Sequence, residues 1–164
     1  MTRIYITALF FAFLLPANGF AGQGASLAPA FSLTDLRGTQ ITLQQYRGKV
    51  LFLAFWAPWC MPCREELPEL ERLYKKYYDK ELVIIGISVE ASASGVSSFL
   101  KKVPVTFPVV IDGTGSIAEA YQVSGLPAGF LVDRAGVVYK RYWGFEKKSL
   151  SNYETDITGL LDQK

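Results

Sequence analysis

The chain has no histidine, two cysteines and no run of like charge longer than three residues. Without histidine it lacks the side chain that most often serves as a general base near neutral pH and as a metal ligand. Two cysteines cannot make a four-ligand zinc knuckle, which needs two such pairs or a pair with histidines. The even charge pattern, net +2 over 164 residues, has none of the basic stripe that reads as a nucleic-acid footprint. What remains is one domain's length of chain, half of it hydrophobic, with enough apolar residues to bury a core.

Apolar residues concentrate first at the N-terminus. Arg3 precedes "IYITALFFAFLL" (residues 4–15), which Pro16 and the small residues of "ANGFAG" follow. A basic start, a short apolar core and small residues beyond it are the plan of a secretory signal. The run is shorter than the roughly 20 residues that cross a bilayer. Gly19 and Ala21 both suit the residue before cleavage, and an uncleaved anchor is the alternative. No cysteine lies nearby, so a lipoprotein anchor is excluded. Residues 1–21 are expected to be the leader, or an N-terminal anchor, and 22–164 the exported domain.

In the mature chain, Phe31/Leu33 and Ile41/Leu43 alternate on either side of the turn signal "DLRG", as in a hairpin. Residues 49–57 and 81–90 are continuous apolar runs suited to strands covered on both faces. Between them Cys63, Leu67, Leu70, Tyr74 and Tyr77 form a helical stripe. Strand, helix, strand implies a parallel crossover. A short amphipathic helix (Val96, Phe99, Leu100, Val103), the strand "FPVVID" and the helical turn "SIAEAYQV" follow. "GFLVD" and residues 137–143 flank the turn "RAG" as an antiparallel hairpin. A closing helix carries Leu150, Tyr153, Ile157, Leu160 and Leu161. The expected architecture is α/β, with a mixed central sheet flanked by helices.

The two cysteines sit in "WAPWCMPC" (residues 56–63). As a staple the pair is poor: a bridge across so small a loop is worth about 2 kcal/mol, against about 3 for a 15-residue loop. As a redox pair it is well placed. It follows a buried strand and opens a helix, where unpaired backbone N–H groups and the positive dipole end favour thiolate, the attacking species. Pro62 lacks an N–H and suits a first helical turn. Cys60 is therefore the expected nucleophile, and Cys63, heading the buried stripe, the resolving sulfur.

"FWAPWCMPCREELPEL" resembles the active-site segment of thioredoxin-fold proteins, specifically the exported TlpA/ResA/DsbE-like thiol–disulfide oxidoreductases. "YQVSGLPAGFLVDRAG" (residues 121–136) resembles a second motif of that family, and the stretch near 88–112 matches its strand–helix insertion. The resemblance spans about residues 28–161. It implies a thioredoxin fold with an N-terminal hairpin, and a protein disulfide oxidoreductase with no cofactor and no metal. Pro127 would be cis and lie against the cysteines, and Leu126 would present its backbone to an extended substrate. Trp59 would shield the disulfide and touch partners, with ordinary aromatic packing as the alternative. Glu66 stands where an acid tunes the cysteines in ResA-like members; otherwise it is an acid of the first helical turn stabilised by the dipole. One departure is Ala54, where thioredoxin has a buried aspartate. A second is Met-Pro between the cysteines in place of Gly-Pro, so thioredoxin's potential does not carry over.

The resemblance further implies protein disulfide or dithiol partners, apocytochrome c among them. A membrane electron donor would recharge the site of a monomeric domain in the periplasm or another extracytoplasmic space, with no nucleic-acid partner. The same chemistry reversed makes an oxidase. A peroxiredoxin-type peroxidase would place a lone cysteine in a T-x-x-C context, unlike "WCMPC". An idle thioredoxin-fold binding module is the non-enzymatic alternative.

Overall fold

A computed structural model describes residues 26–163; the leader expected over residues 1–21 lies outside them. The entry alternation forms a small antiparallel pair, β1 (Ser32–Thr34) and β2 (Gln40–Thr42). Its turn is held by Asp35, whose carboxylate accepts the Arg37 and Thr39 N–H groups at 2.9 and 2.7 Å. A 3-10 turn over Leu43–Tyr46 leads on.

The first apolar run is β3 (Val50–Trp56), with every residue buried. The stripe behind it is α1 (Met61–Tyr77), and the second run is β4 (Leu82–Ser88), parallel to β3 from Val50↔Leu82 to Trp56↔Ser88. The expected insertion adds α2 (Ala93–Leu100) and β5 (Val109–Ile111), the latter parallel to β4. After the five-residue α3 (Ser116–Ala120) come β6 (Ala128–Val132) and β7 (Val138–Trp143), then α4 (Ser149–Leu161). β6 runs antiparallel to both β3 and β7, so the five-stranded order is β5-β4-β3-β6-β7.

Because side chains alternate across a strand, β3 feeds two cores. Phe52, Ala54 and Trp56 point into the layer holding α1 and α4; Leu51, Leu53 and Phe55 point into the layer beneath β1 and β2. Gly129 on β6 permits the close pass of Phe52: a Cβ there would stand 2.7 Å from Phe52 Cζ. Among the described residues no helix is long and apolar enough to cross a membrane.

Candidate functional site

The site forms where β3 runs out. The chain turns after Ala57, whose carbonyl accepts the Cys60 N–H at 3.1 Å, and α1 begins at Met61. Cys60 is the N-cap residue, in extended backbone conformation, and its Sγ accepts the Cys63 N–H at 3.2 Å. The sulfur thus takes the part that an N-cap oxygen usually plays, satisfying one of the orphan donors of the first turn. The two cysteines form a disulfide, Cα–Cα 5.3 Å. Cys60 keeps 6% of its surface exposed and Cys63 none, so an incoming partner reaches Cys60 first.

The second segment arrives alongside. The Leu126–Pro127 bond is cis, as the resemblance implied. Ala128 pairs with Phe55, one residue before the end of β3, which sets Pro127 at the end of the sheet where the cysteine turn begins. The Pro127 carbonyl accepts the Gly144 N–H at 2.9 Å. Leu126 is half-buried and packs against both cores. Trp59 and Met61 flank Cys60 in the chain and are about two-thirds exposed. Ordinary packing of Trp59 into the core therefore does not describe this residue; the buried indole is that of Trp56, 5.0 Å from the Phe99 ring.

Glu66 lies one turn beyond Cys63 on the same buried face of α1 and is 1% exposed. It is the sixth residue of the helix, so the alternative of a first-turn acid is wrong: the first turn has passed, and the carboxyl points into the core instead of toward the free N–H groups. The Tyr153 hydroxyl donates to its Oε1 at 2.7 Å, and Oε2 is buried with no partner among the described residues. Burial disfavours the carboxylate and the Tyr153 bond opposes this, with the net result that the Glu66 pKa is pushed up to about 7. Ala54, fully buried on β3, offers no acid on its side of the layer. Burial, together with the charge of Glu66, pushes the Tyr153 phenol far above its ordinary value.

Tyr153 entered the sequence reading only as one apolar position of a helical stripe. The signal that could have marked it is chemical: a tyrosine inside such a stripe carries a hydroxyl that needs a partner when buried. Met61, as exposed as Trp59 and next to Cys60, figures in the sequence only through the Met-Pro dipeptide, with no sign that it would share the exposed rim. Among the described residues no group of three or more histidine, cysteine or acidic side chains is placed to hold a metal ion.

The AhpC/TSA family matches residues 25–141. The thiol-disulfide oxidoreductase ResA of Bacillus thuringiensis subsp. konkukian is 40% identical over 132 residues, 80% of this chain and 76% of that protein. A candidate thiol:disulfide interchange protein DsbE from Chlorobium tepidum superposes with a TM-score of 0.81 at 33% identity, covering 84% of this chain and 96% of the other. A secreted Mycobacterium tuberculosis disulfide oxidoreductase, described as homologous to E. coli DsbE, has a TM-score of 0.70 at 25% identity, over 79% and 96% of the two chains. The relatives share one chemistry, for which this fold holds a lone cysteine pair at the head of a helix: the chain belongs to the AhpC/TSA family and is a thiol–disulfide oxidoreductase within it.

Proposed function

We propose that this oxidoreductase works as a reductase of disulfides in proteins of the cell envelope, with Cys60 attacking and Cys63 resolving. In the reduced domain the Cys60 thiolate attacks one sulfur of a partner disulfide. A mixed disulfide forms, and the partner's other sulfur leaves and takes up a proton. Cys63, deprotonated, then attacks Cys60 Sγ and releases the partner's second thiol. Two electrons have passed to the partner and the domain is left oxidised. Glu66 exchanges a proton with the pair as the sulfurs change charge. Trp59 and the Leu126–Pro127 backbone line the surface that an extended partner segment would meet.

The observation that carries this reading is the Cys63 N–H donating to Cys60 Sγ at the capping position of α1. The same contact would stabilise a Cys60 thiolate once the bridge opens. Export through residues 1–21 is supported by the leader pattern and by the secreted mycobacterial neighbour. Apocytochrome c as partner, a membrane electron donor and a monomeric working state extend the same reading from the family resemblance.

Trapping tests the division of labour. Reduced Cys63→Ser, mixed with an oxidised partner protein, should accumulate a mixed disulfide through Cys60, and Cys60→Ser should accumulate none. Equal trapping by both variants contradicts the assignment. Equilibration with dithiothreitol or glutathione tests the direction. A potential near the roughly −270 mV of thioredoxin supports a reductase, and one near the roughly −120 mV of DsbA makes the domain an oxidase.

A further inference from the structure

α4 returns to α1 more than eighty residues after Glu66 and brings one hydroxyl to it. Tyr153 is 1% exposed, and its ring packs 5.2 Å from Phe52 and 4.6 Å from Tyr142. Both aromatic neighbours come from strands of the central sheet, so the phenol is held on two sides by rigid elements. Its hydroxyl is the donor to Glu66 Oε1. The remaining faces offer little polar company. β3 presents Phe52, Ala54 and Trp56. β7 presents Tyr142, whose own hydroxyl is committed to Asp156 Oδ2 at 2.8 Å, an oxygen that also takes the Lys140 ammonium at 2.6 Å. On α1, Arg72 and Lys76 turn outward to Glu154 of α4. Among the described residues, none of these cations is bonded to Glu66, and Tyr153 is its only hydrogen-bond donor.

We propose that Tyr153 is a positioning residue for thiol–disulfide exchange: from α4 it fixes the Glu66 carboxyl one turn from Cys63 and governs when that carboxyl releases its proton. The inference rests on the reading above that Glu66 exchanges a proton with the cysteine pair. A hydrogen bond donated to a carboxylate favours the charged form. Tyr153→Phe removes the hydroxyl and keeps the ring, so ionised Glu66 would be left buried with no donor. Its titration should then move to higher pH, by about one unit, the scale of one such bond to a charged group. Any feature of the Cys60 reactivity profile that tracks Glu66 should move up with it.

The test uses the full mature chain in the reduced state, with carboxyl-labelled glutamate followed by carbon NMR across pH, and Cys60 alkylation rates measured in parallel. In Tyr153→Phe the Glu66 midpoint should shift upward by about one pH unit, with a matching shift of the alkylation profile that disappears when Glu66→Gln is also present. An unchanged Glu66 midpoint overturns it. So does an alkylation shift of equal size in the Glu66→Gln background, since Tyr153 would then act by another route. If the Glu66 midpoint moves but Glu66→Gln leaves the alkylation profile unaltered, the proton role of Glu66 fails and with it the part of Tyr153 in exchange, and only its hold on the carboxyl is left. A fold-independent check uses the unsubstituted protein: the Tyr153 ring-carbon shift next to the hydroxyl should report the Glu66 midpoint. A Tyr153 signal blind to that midpoint overturns the inference even if the phenylalanine variant does not fold.

Discussion

Two glutamates five residues apart on α1 are both buried, and their surroundings drive them in opposite directions. Glu71 is 7% exposed. Burial pushes its pKa up, but the Thr106 N–H and hydroxyl, each at 2.8 Å, and the Lys75 ammonium at 3.0 Å outweigh this and hold it below the ordinary carboxylate value. Among the described residues Glu66 has one phenol and no cation, and its pKa rises to about 7. Glu71 is a fixed charge that ties the segment before β5 to the helix. Glu66 is held near neutrality, which is where the proposed proton exchange with the cysteine pair needs it. Burial by itself therefore does not decide whether a carboxyl is held charged or protonated. The count and charge of the donors around it does.

The contrast should break most visibly at Glu71. Glu71→Ala strips the Thr106 N–H and hydroxyl of their acceptor, and bonds to a charged group count for roughly 1.5–3 kcal/mol each. We expect a loss of about 4 kcal/mol in urea unfolding at pH 7, with the pH profile of Cys60 alkylation in place in the fraction that remains folded. A loss within experimental error would mean that the Thr106 contacts do not anchor this loop.

Glu66→Gln should do the reverse. With its pKa raised from 4.5 to about 7, Glu66 in the folded domain keeps a proton that the unfolded chain has already released between these values. Stability therefore falls as pH rises through that window, and the deficit is complete above pH 7. Removing the charge should stabilise the domain by up to about 3 kcal/mol at pH 8 and leave it unchanged near pH 4. A variant less stable than the parent at pH 8 would show that Glu66 is ionised at little cost.

A third carboxylate, Glu154 on α4, sharpens the comparison from the surface. It accepts Lys76 at 2.7 Å, Tyr77 at 2.8 Å and Arg72 at 3.3 Å, and these bonds draw its pKa down to about 2. Its contribution should be complete above the ordinary carboxylate range and fade as pH falls toward 2. Because the group is partly exposed, Glu154→Gln should cost no more than about 1 kcal/mol at pH 7. A cost as large as that of Glu71→Ala would contradict the distinction between buried and surface clusters.

β3, β4 and α1 were legible in the sequence because each is dictated by local pattern: continuous apolar runs for strands covered on both faces, and a stripe at helical spacing between them. The cysteine turn was legible for the same reason, since strand end, capping position and Pro62 are all neighbours in the chain. α3 proved shorter than its apolar positions suggested. Gly115 at its N-cap has φ 74° and provides no side-chain cap, and Gln122, at φ 57°, turns the chain out of the helix just past its end. The environment of Glu66 was not legible at all. Its acid was visible on the helix, but its partner Tyr153 lies 87 positions away, and nothing local says which aromatic of α4 will face it. The Glu71–Thr106 contact was hidden likewise, being set by how the insertion folds back on α1.

We propose that Glu66 takes up and returns protons as the Cys60–Cys63 pair passes between disulfide and dithiol in its exchange of electrons with a partner. The reduction potential of the pair, measured against pH in the parent chain and in Glu66→Gln, addresses it directly. We expect a change of slope near pH 7 in the parent, where Glu66 titrates, that is lost in the variant and leaves only the change set by the cysteine thiols. Superimposable curves would contradict it and leave Glu66 as a buried acid without a part in the chemistry.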